Sequence, residues 1–136
     1  MSHSQYKCQV QGKESFIDNL FVVFSQSYLI NQVQIFNKEN GYTTKNRVKL
    51  LELGCYNGRV MHFMTQQMLF VNYTGVDVTQ KYLAHSPVKN RKDVTLLCED
   101  VTKGLSVPDG SQDMIISSEV LEHINPQDLP GVIQTL

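Results

Sequence analysis

The apolar positions follow two different rhythms. Over residues 14–39, Ile17, Leu20, Phe21, Phe24, Tyr28, Ile35 and Phe36 recur mostly three or four positions apart. That spacing gathers them on one stripe of an amphipathic helix, with a break expected near Ser25-Gln26-Ser27. Asn40-Gly41 ends the helix, because both residue types accept the left-handed conformation of a C-terminal cap. The residues ahead of it, 1–13, are polar and predict a loose segment.

After a polar link over residues 42–47 the rhythm changes. Residues 48–53 predict a strand ending at Gly54, and 59–68 a helix. Residues 73–78 predict a second strand, and 80–85 a helix interrupted near Ser86-Pro87. Residues 94–98 and 113–118 predict two more strands, the latter preceded by a turn at Pro108-Asp109-Gly110-Ser111, and 126–136 opens another helix. Strands alternating with helices predict an α/β chain built on a parallel, doubly wound sheet. Residues 1–46 read as an N-terminal helical segment, a cap or lid, and 47–136 as the sheet domain.

Composition narrows the class. Of 136 residues, 41% are hydrophobic and 18% charged, which fits a folded globular chain and not a disordered one. Twelve basic against 13 acidic residues argue against attachment to nucleic acid or an anionic membrane by bulk charge. Cys8, Cys55 and Cys98 are odd in number and far apart, so they predict free thiols in a reducing compartment, neither a disulfide framework nor a zinc pair. No apolar run has the length of a membrane span, and residues 1–7 lack the apolar core of a secretory signal. The expectation is a soluble cytoplasmic protein.

In such sheets, ligands bind beyond the C-terminal strand ends, near the point where strand order reverses. The first strand runs into Glu52-Leu53-Gly54-Cys55-Tyr56-Asn57-Gly58. Two glycines let that loop turn sharply and approach a ligand, and the helix that follows offers free N–H groups to a carboxylate. Asp77, one strand–helix unit later, is placed to accept hydrogen bonds from two ribose hydroxyls. Asp100, after the third strand, is placed to take a purine amine. Taken singly, each of these is more simply a cap, a turn or a solvated acid. Together they describe a nucleoside site. Gly54-Cys55-Tyr56-Asn57-Gly58-Arg59 is not the G-x-G-x-x-G of a dinucleotide fold, so a nucleoside with a carboxylate tail fits better than a pyrophosphate.

Three blocks resemble the class I S-adenosylmethionine-dependent methyltransferases. Val48–Leu53 with Gly54-Cys55-Tyr56-Asn57-Gly58-Arg59 is similar to their V-L-D-L-G-C-G-x-G-R motif, and Gly75-Val76-Asp77-Val78-Thr79 to the second-strand motif. Residues 108–124, P-D-G-S-Q-D-M-I-I-S-S-E-V-L-E-H-I, resemble the P-D-G-S-F-D…S-S-E-V-L-E-H-I block. The resemblance implies a Rossmann-like sheet of strand order 3-2-1-4 and S-adenosyl-L-methionine as cofactor. It places Glu52 and the loop Gly54, Cys55, Tyr56, Asn57 and Gly58 at the cofactor, the loop against its methionine part. It puts Asp77 at the ribose, Val78 on the adenine face, Asp100 and Val101 at the adenine edge, and Ser117 beneath the sulfonium. Tyr56 departs from the pattern, standing where the middle glycine is usual, so either the loop is displaced or the ring packs over the cofactor.

Methyl transfer is a displacement in which the protein mainly aligns the reactants, so no catalytic side chain is singled out. Glu119, Glu122 and His123 are similar to the metal-binding E-x-x-E-H cluster of small-RNA 3′-terminal 2′-O-methyltransferases and of ubiquinone-pathway O-methyltransferases. A divalent metal there would lower the pKa of an acceptor hydroxyl. The same string also occurs in methyltransferases that use no metal, where it supports the wall of the site. Two functions follow: methyl transfer to a small-molecule or RNA acceptor, or a non-catalytic methyltransferase-like module acting as a partner subunit. The resemblance further implies a seven-stranded sheet of which this chain supplies four strands. Its fourth strand is then an apolar edge to be completed by further chain, by a second copy or by a partner subunit.

Overall fold

The computed structural model describes residues 16–67, 69, 71–118 and 120–136, with side chains from residue 27 onward. Eight elements follow in order: α1 (Phe16–Asn40), β1 (Val48–Leu53), α2 (Arg59–Gln66), β2 (Val71–Asp77), α3 (Gln80–Ala84), β3 (Val94–Cys98), β4 (Met114–Ser117) and α4 (Leu129–Gln134). Short 3-10 turns follow β3 and β4, at Val101–Lys103 and Leu121–His123. The strands form one sheet in the order β3-β2-β1-β4, every pair parallel, as the 3-2-1-4 expectation required. The order reverses at β1, which has β2 on one side and β4 on the other.

Alternation along the strands divides the core in two. Val48 and Leu50 of β1, Val71 and Tyr73 of β2 and Ile116 of β4 are buried on one face. They pack with Ile30 and Val33 of α1, Val60, Met61 and Met64 of α2, and Leu83 of α3. Each such burial is worth about 1.5–3 kcal/mol, which is what fixes the helices on this face. The other face is a smaller cluster of Leu51, Leu53 and Val76, covered by Leu97, Val101, Leu105 and Val107. Two shallow grooves, of about 320 and 310 Å³, lie away from the strand C-termini. The first is lined by Lys49, Thr74 and Thr95, and the second by Leu51, Val107 and Ile115. At the strand N-termini, Arg47 reaches the Val71 carbonyl at 2.9 Å and Asp93 at 2.8 Å, and Arg91 meets the same carboxylate at 2.7 Å.

Several boundaries differ from the sequence pattern. Helix α1 runs unbroken through Ser25-Gln26-Ser27, because polar residues interrupt an apolar stripe without removing a backbone hydrogen bond. Its end is as expected: Gly41 adopts φ 68°. The last helix begins at Leu129 and not at 126. The preceding residues form an Asn turn, in which Asn125 Oδ1 accepts from the Gln127 N–H at 3.0 Å. Among the described residues no helix is long and apolar enough to cross a membrane.

Candidate functional site

The glycine loop is suspended from β2. The N–H groups of Gly54 and Cys55 both donate to the Val76 carbonyl, at 2.8 and 3.0 Å. The Tyr56 N–H donates to Asp77 Oδ2 at 2.9 Å. This trace requires three left-handed residues, Gly54 at φ 68°, Tyr56 at 56° and Gly58 at 76°. Two are glycines, which take that region without cost. Tyr56 is not, and its ring is held from outside the loop. It lies 4.2 Å, centroid to centroid, from Tyr82 at 50°, with the Arg59 guanidinium 5.3 Å from its centroid. Contacts of this kind are worth about 0.5–1.5 kcal/mol each and offset a left-handed penalty of similar size. Tyr56 is thus built into the loop, with its ring packed on Tyr82 and Arg59.

Close approach at Gly54 is made by the protein itself. A Cβ there would lie 2.1 Å from Val120 Cγ2, so the segment after β4 seats on this glycine. At Gly58 a Cβ would meet Val88 Cγ2 at 2.8 Å and Ser86 Oγ at 3.1 Å. Asn57 keeps a buried Oδ1 that has no hydrogen-bond partner among the described residues. The Cys55 side chain points into the core, 2% exposed, so only its backbone is available to a ligand. Burial, with Glu52 and Asp77 adding to it, pushes its thiol up to about 12 and keeps it protonated and unreactive.

Beneath the loop sits an ionisable group in the core. Glu52 is 3% exposed and accepts a hydrogen bond from the Tyr73 hydroxyl. Burial raises its carboxyl to about 7; the Tyr73 hydrogen bond opposes that rise, and the charge of Asp77 adds to it. Tyr73 in turn is pushed well above the usual phenol range, first by burial and then by Glu52. Glu52 is thus a proton-holding group under the loop, not a fixed charge facing solvent.

Asp77 closes β2 and its carboxylate is oriented on both sides. Oδ1 accepts from the Thr79 N–H at 2.8 Å and Oδ2 from Tyr56. A carboxylate has about four acceptor directions, so two remain for two vicinal hydroxyls. Next to it Val78 is 59% exposed, an apolar side chain left open beside an oriented acid. Asp100 caps the turn that follows β3, Oδ1 accepting from the Thr102 N–H at 3.0 Å and its hydroxyl at 2.7 Å, with Lys103 3.9 Å from Oδ2. Val101, in that turn, packs on the second core face. Ser117 ends β4 opposite Leu53. The sheet therefore brings Glu52, the loop, Asp77 and Ser117 to the C-terminal ends of three adjacent strands, while Asp100 and Val101 stand one strand further out.

Of the cluster after β4, Glu119 lies outside the described residues. Glu122 and His123 are adjacent and exposed, with Oε1 and Nε2 3.9 Å apart. Among the described residues no three His, Cys, Asp or Glu side chains converge as a metal site would require. The sequence pattern gave no sign of Tyr82, Arg59 or Val120 as partners of the loop. Each reaches it from another element, and no local period encodes such contacts.

Comparison with known proteins agrees with this geometry. Residues 50–136 match the family model described as "Methyltransferase domain". A malonyl-[acyl-carrier protein] O-methyltransferase of Bacillus anthracis is 29% identical over 96 residues, spanning 70% of this chain and 34% of that protein. Among solved structures, the plantazolicin methyltransferase BpumL in complex with SAH superposes with a TM-score of 0.63 at 18% identity, over 88% of this chain and 44% of that one. The methyltransferase domain of bacterial CtHen1-C gives 0.60 at 22% identity, over 82% and 58%. These likenesses are of fold, and the chain spans about a third of the length of the curated relative it matches. With most of its length matched, and the strand order, glycine loop and acid after β2 in place, the chain belongs to the methyltransferase domain family.

Proposed function

We propose that this chain binds S-adenosyl-L-methionine and, within a methyltransferase domain, directs its methyl group to a small-molecule or RNA acceptor. Asp77 carries the reading: an acid at the end of β2 whose two oxygens are fixed by the Tyr56 and Thr79 N–H groups, leaving its other acceptor directions to a ribose. The open Val78 side chain beside it offers an apolar surface to the base of the same ligand. When bound, the cofactor supplies an electrophilic methyl on a sulfonium. The chain's part is to hold and orient. Asp77 grips the ribose, the loop backbone and Asn57 receive the methionine end, Val78 and Val101 flank the base with Asp100 at its edge, and Ser117 lies under the reacting centre.

The acceptor is an oxygen on this reading, supported by the likeness to a relative that is an O-methyltransferase by name. Calorimetry with S-adenosylhomocysteine tests the site. Asp77→Ala should weaken binding by about 1–3 kcal/mol through lost ribose hydrogen bonds; unchanged affinity refutes the assignment. Absence of binding by the native chain leaves the non-catalytic partner module, a reading that Val120 favours because it already fills the space over Gly54. Metal binding by Glu119, Glu122 and His123 enters no step here. Titration with Mn²⁺ tests it, and a saturable heat lost in His123→Ala would establish it. The free Cys55 and Cys98 suit a cytoplasmic setting. The β4 edge suits pairing with a second copy or a partner subunit, which light scattering tests.

A further inference from the structure

We propose that the buried Glu52–Tyr73 pair gives up a proton when the cationic cofactor binds, so that cofactor affinity and pH are coupled through the floor of the site. This rests on the cofactor reading above. Glu52 is on the central strand, one residue before the strand ends, directly below the place where strand order reverses. The groups that face it are known element by element. Tyr73 of β2 donates to it, Asp77 at the end of β2 is a second acid, and Cys55 of the loop is a protonated thiol. Its register neighbours are Gly75 on β2 and Ile116 on β4, which carry no charge, and the core cluster on that face of the sheet is apolar.

A lone buried carboxylate is costly, so the free protein holds this group neutral until about pH 7. S-adenosylmethionine brings a sulfonium, an ammonium and one carboxylate, a net positive charge. A positive charge above the floor favours the ionised form. The O–H bond of the Glu52 carboxyl then breaks, its electron pair stays on the carboxylate, and the proton leaves to water and buffer. Tyr73 keeps its own proton, which burial and Glu52 hold firmly, and its hydrogen bond to the new carboxylate becomes charge-assisted. By linkage, what releases the proton also makes affinity rise with pH.

The test is calorimetry of the native chain with S-adenosylmethionine near pH 6, where the free protein still holds the proton, in buffers of different ionisation enthalpy. The expected result is a buffer-dependent heat reporting release of up to about one proton per cofactor, and an affinity that rises by at most about tenfold per pH unit below pH 7 and levels off above it. Glu52→Gln, neutral and of the same shape, should abolish both. S-adenosylhomocysteine, without the sulfonium, should release less. Tyr73→Phe removes the hydrogen bond that favours the ionised form, so the midpoint of the affinity profile should move to higher pH. This variant decides the matter if Glu52→Gln does not fold. Tight binding with no buffer dependence, release that persists in Glu52→Gln, or an unmoved midpoint in Tyr73→Phe overturns the proposal while leaving the cofactor reading intact. No binding at any pH overturns both.

Discussion

Glu52→Gln should make the ligand-free protein more stable, by an amount that grows as pH rises from about 4.5 to about 7 and then holds. In the unfolded chain this carboxyl ionises near its ordinary value of 4.5, whereas in the folded chain burial holds its proton to about 7. Between those values the folded state binds the extra proton, so stability falls as pH rises through the interval and stays lowered above it. That interval, at about 1.4 kcal/mol per pH unit, amounts to a cost of about 3 kcal/mol at pH 8. Glutamine keeps the volume, accepts the Tyr73 hydroxyl and never ionises. The variant should match the native chain at pH 4.5 and exceed it by up to about 3 kcal/mol at pH 8, on the order of 10 °C in melting temperature. Urea unfolding followed by circular dichroism at pH 5, 6, 7 and 8 measures the difference. Every other titrating group is shared by the two proteins and cancels. Parallel stability curves, or a Glu52→Gln protein weaker at pH 8, would refute the assignment of Glu52 as a neutral core acid.

Three further substitutions probe the site and the sheet. Gly54→Ala places a Cβ 2.1 Å from Val120 Cγ2 at φ 68° and should cost about 2 kcal/mol or more. Adding Val120→Ala should restore the steric part alone, and thermal melts showing no recovery would mean that Val120 does not press on the loop. Gly75→Ala meets Cys55 Sγ and Tyr73 Cε1, both at 2.8 Å and both buried, so about 1–3 kcal/mol should be lost despite an ordinary backbone angle; a neutral effect in chemical denaturation counts against the packing described. Asp93→Asn removes the shared partner of Arg47 and Arg91, with an expected loss of about 1–2 kcal/mol at pH 7. Burial opposes ionisation of Asp93, but the hydrogen bond and charge of Arg91, with Arg47, hold its carboxyl below 3.8. Its contribution is thus present above 3.8 and lost as pH falls further, and unfolding curves for the two proteins should converge in acid.

What was legible in the sequence was what local chemistry encodes. Short apolar runs alternating with helical stretches mark the strands, glycines at 54 and 58 the turn, and Asn40-Gly41 the end of α1. The strand order came from the resemblance to a family and not from periodicity. Less legible were the contacts that make the loop work. Tyr56 departs from the glycine expected at its position, and its left-handed backbone is held by Asp77 and by Tyr82 and Arg59, whose contacts fix the ring. Glycine at 54 is also demanded by Val120, whose Cγ2 leaves no space for a Cβ there. Glu52, which the resemblance places at the cofactor, is a buried residue to which Tyr73, 21 positions away, donates from the next strand. Each of these depends on register between elements, which a single chain's periodicity does not carry.

Three successive N–H groups of the loop, those of Gly54, Cys55 and Tyr56, end on acceptors at the tip of β2. They behave as an extension of the sheet ladder, so amide hydrogen exchange at these positions should be as slow as in the strands. A segment that irregular in its dihedral angles, yet this well tied, has surrendered its disorder during folding. Whatever it receives arrives at a surface already shaped, and the entropy of association is spent on the ligand's own freedom, not on the loop's.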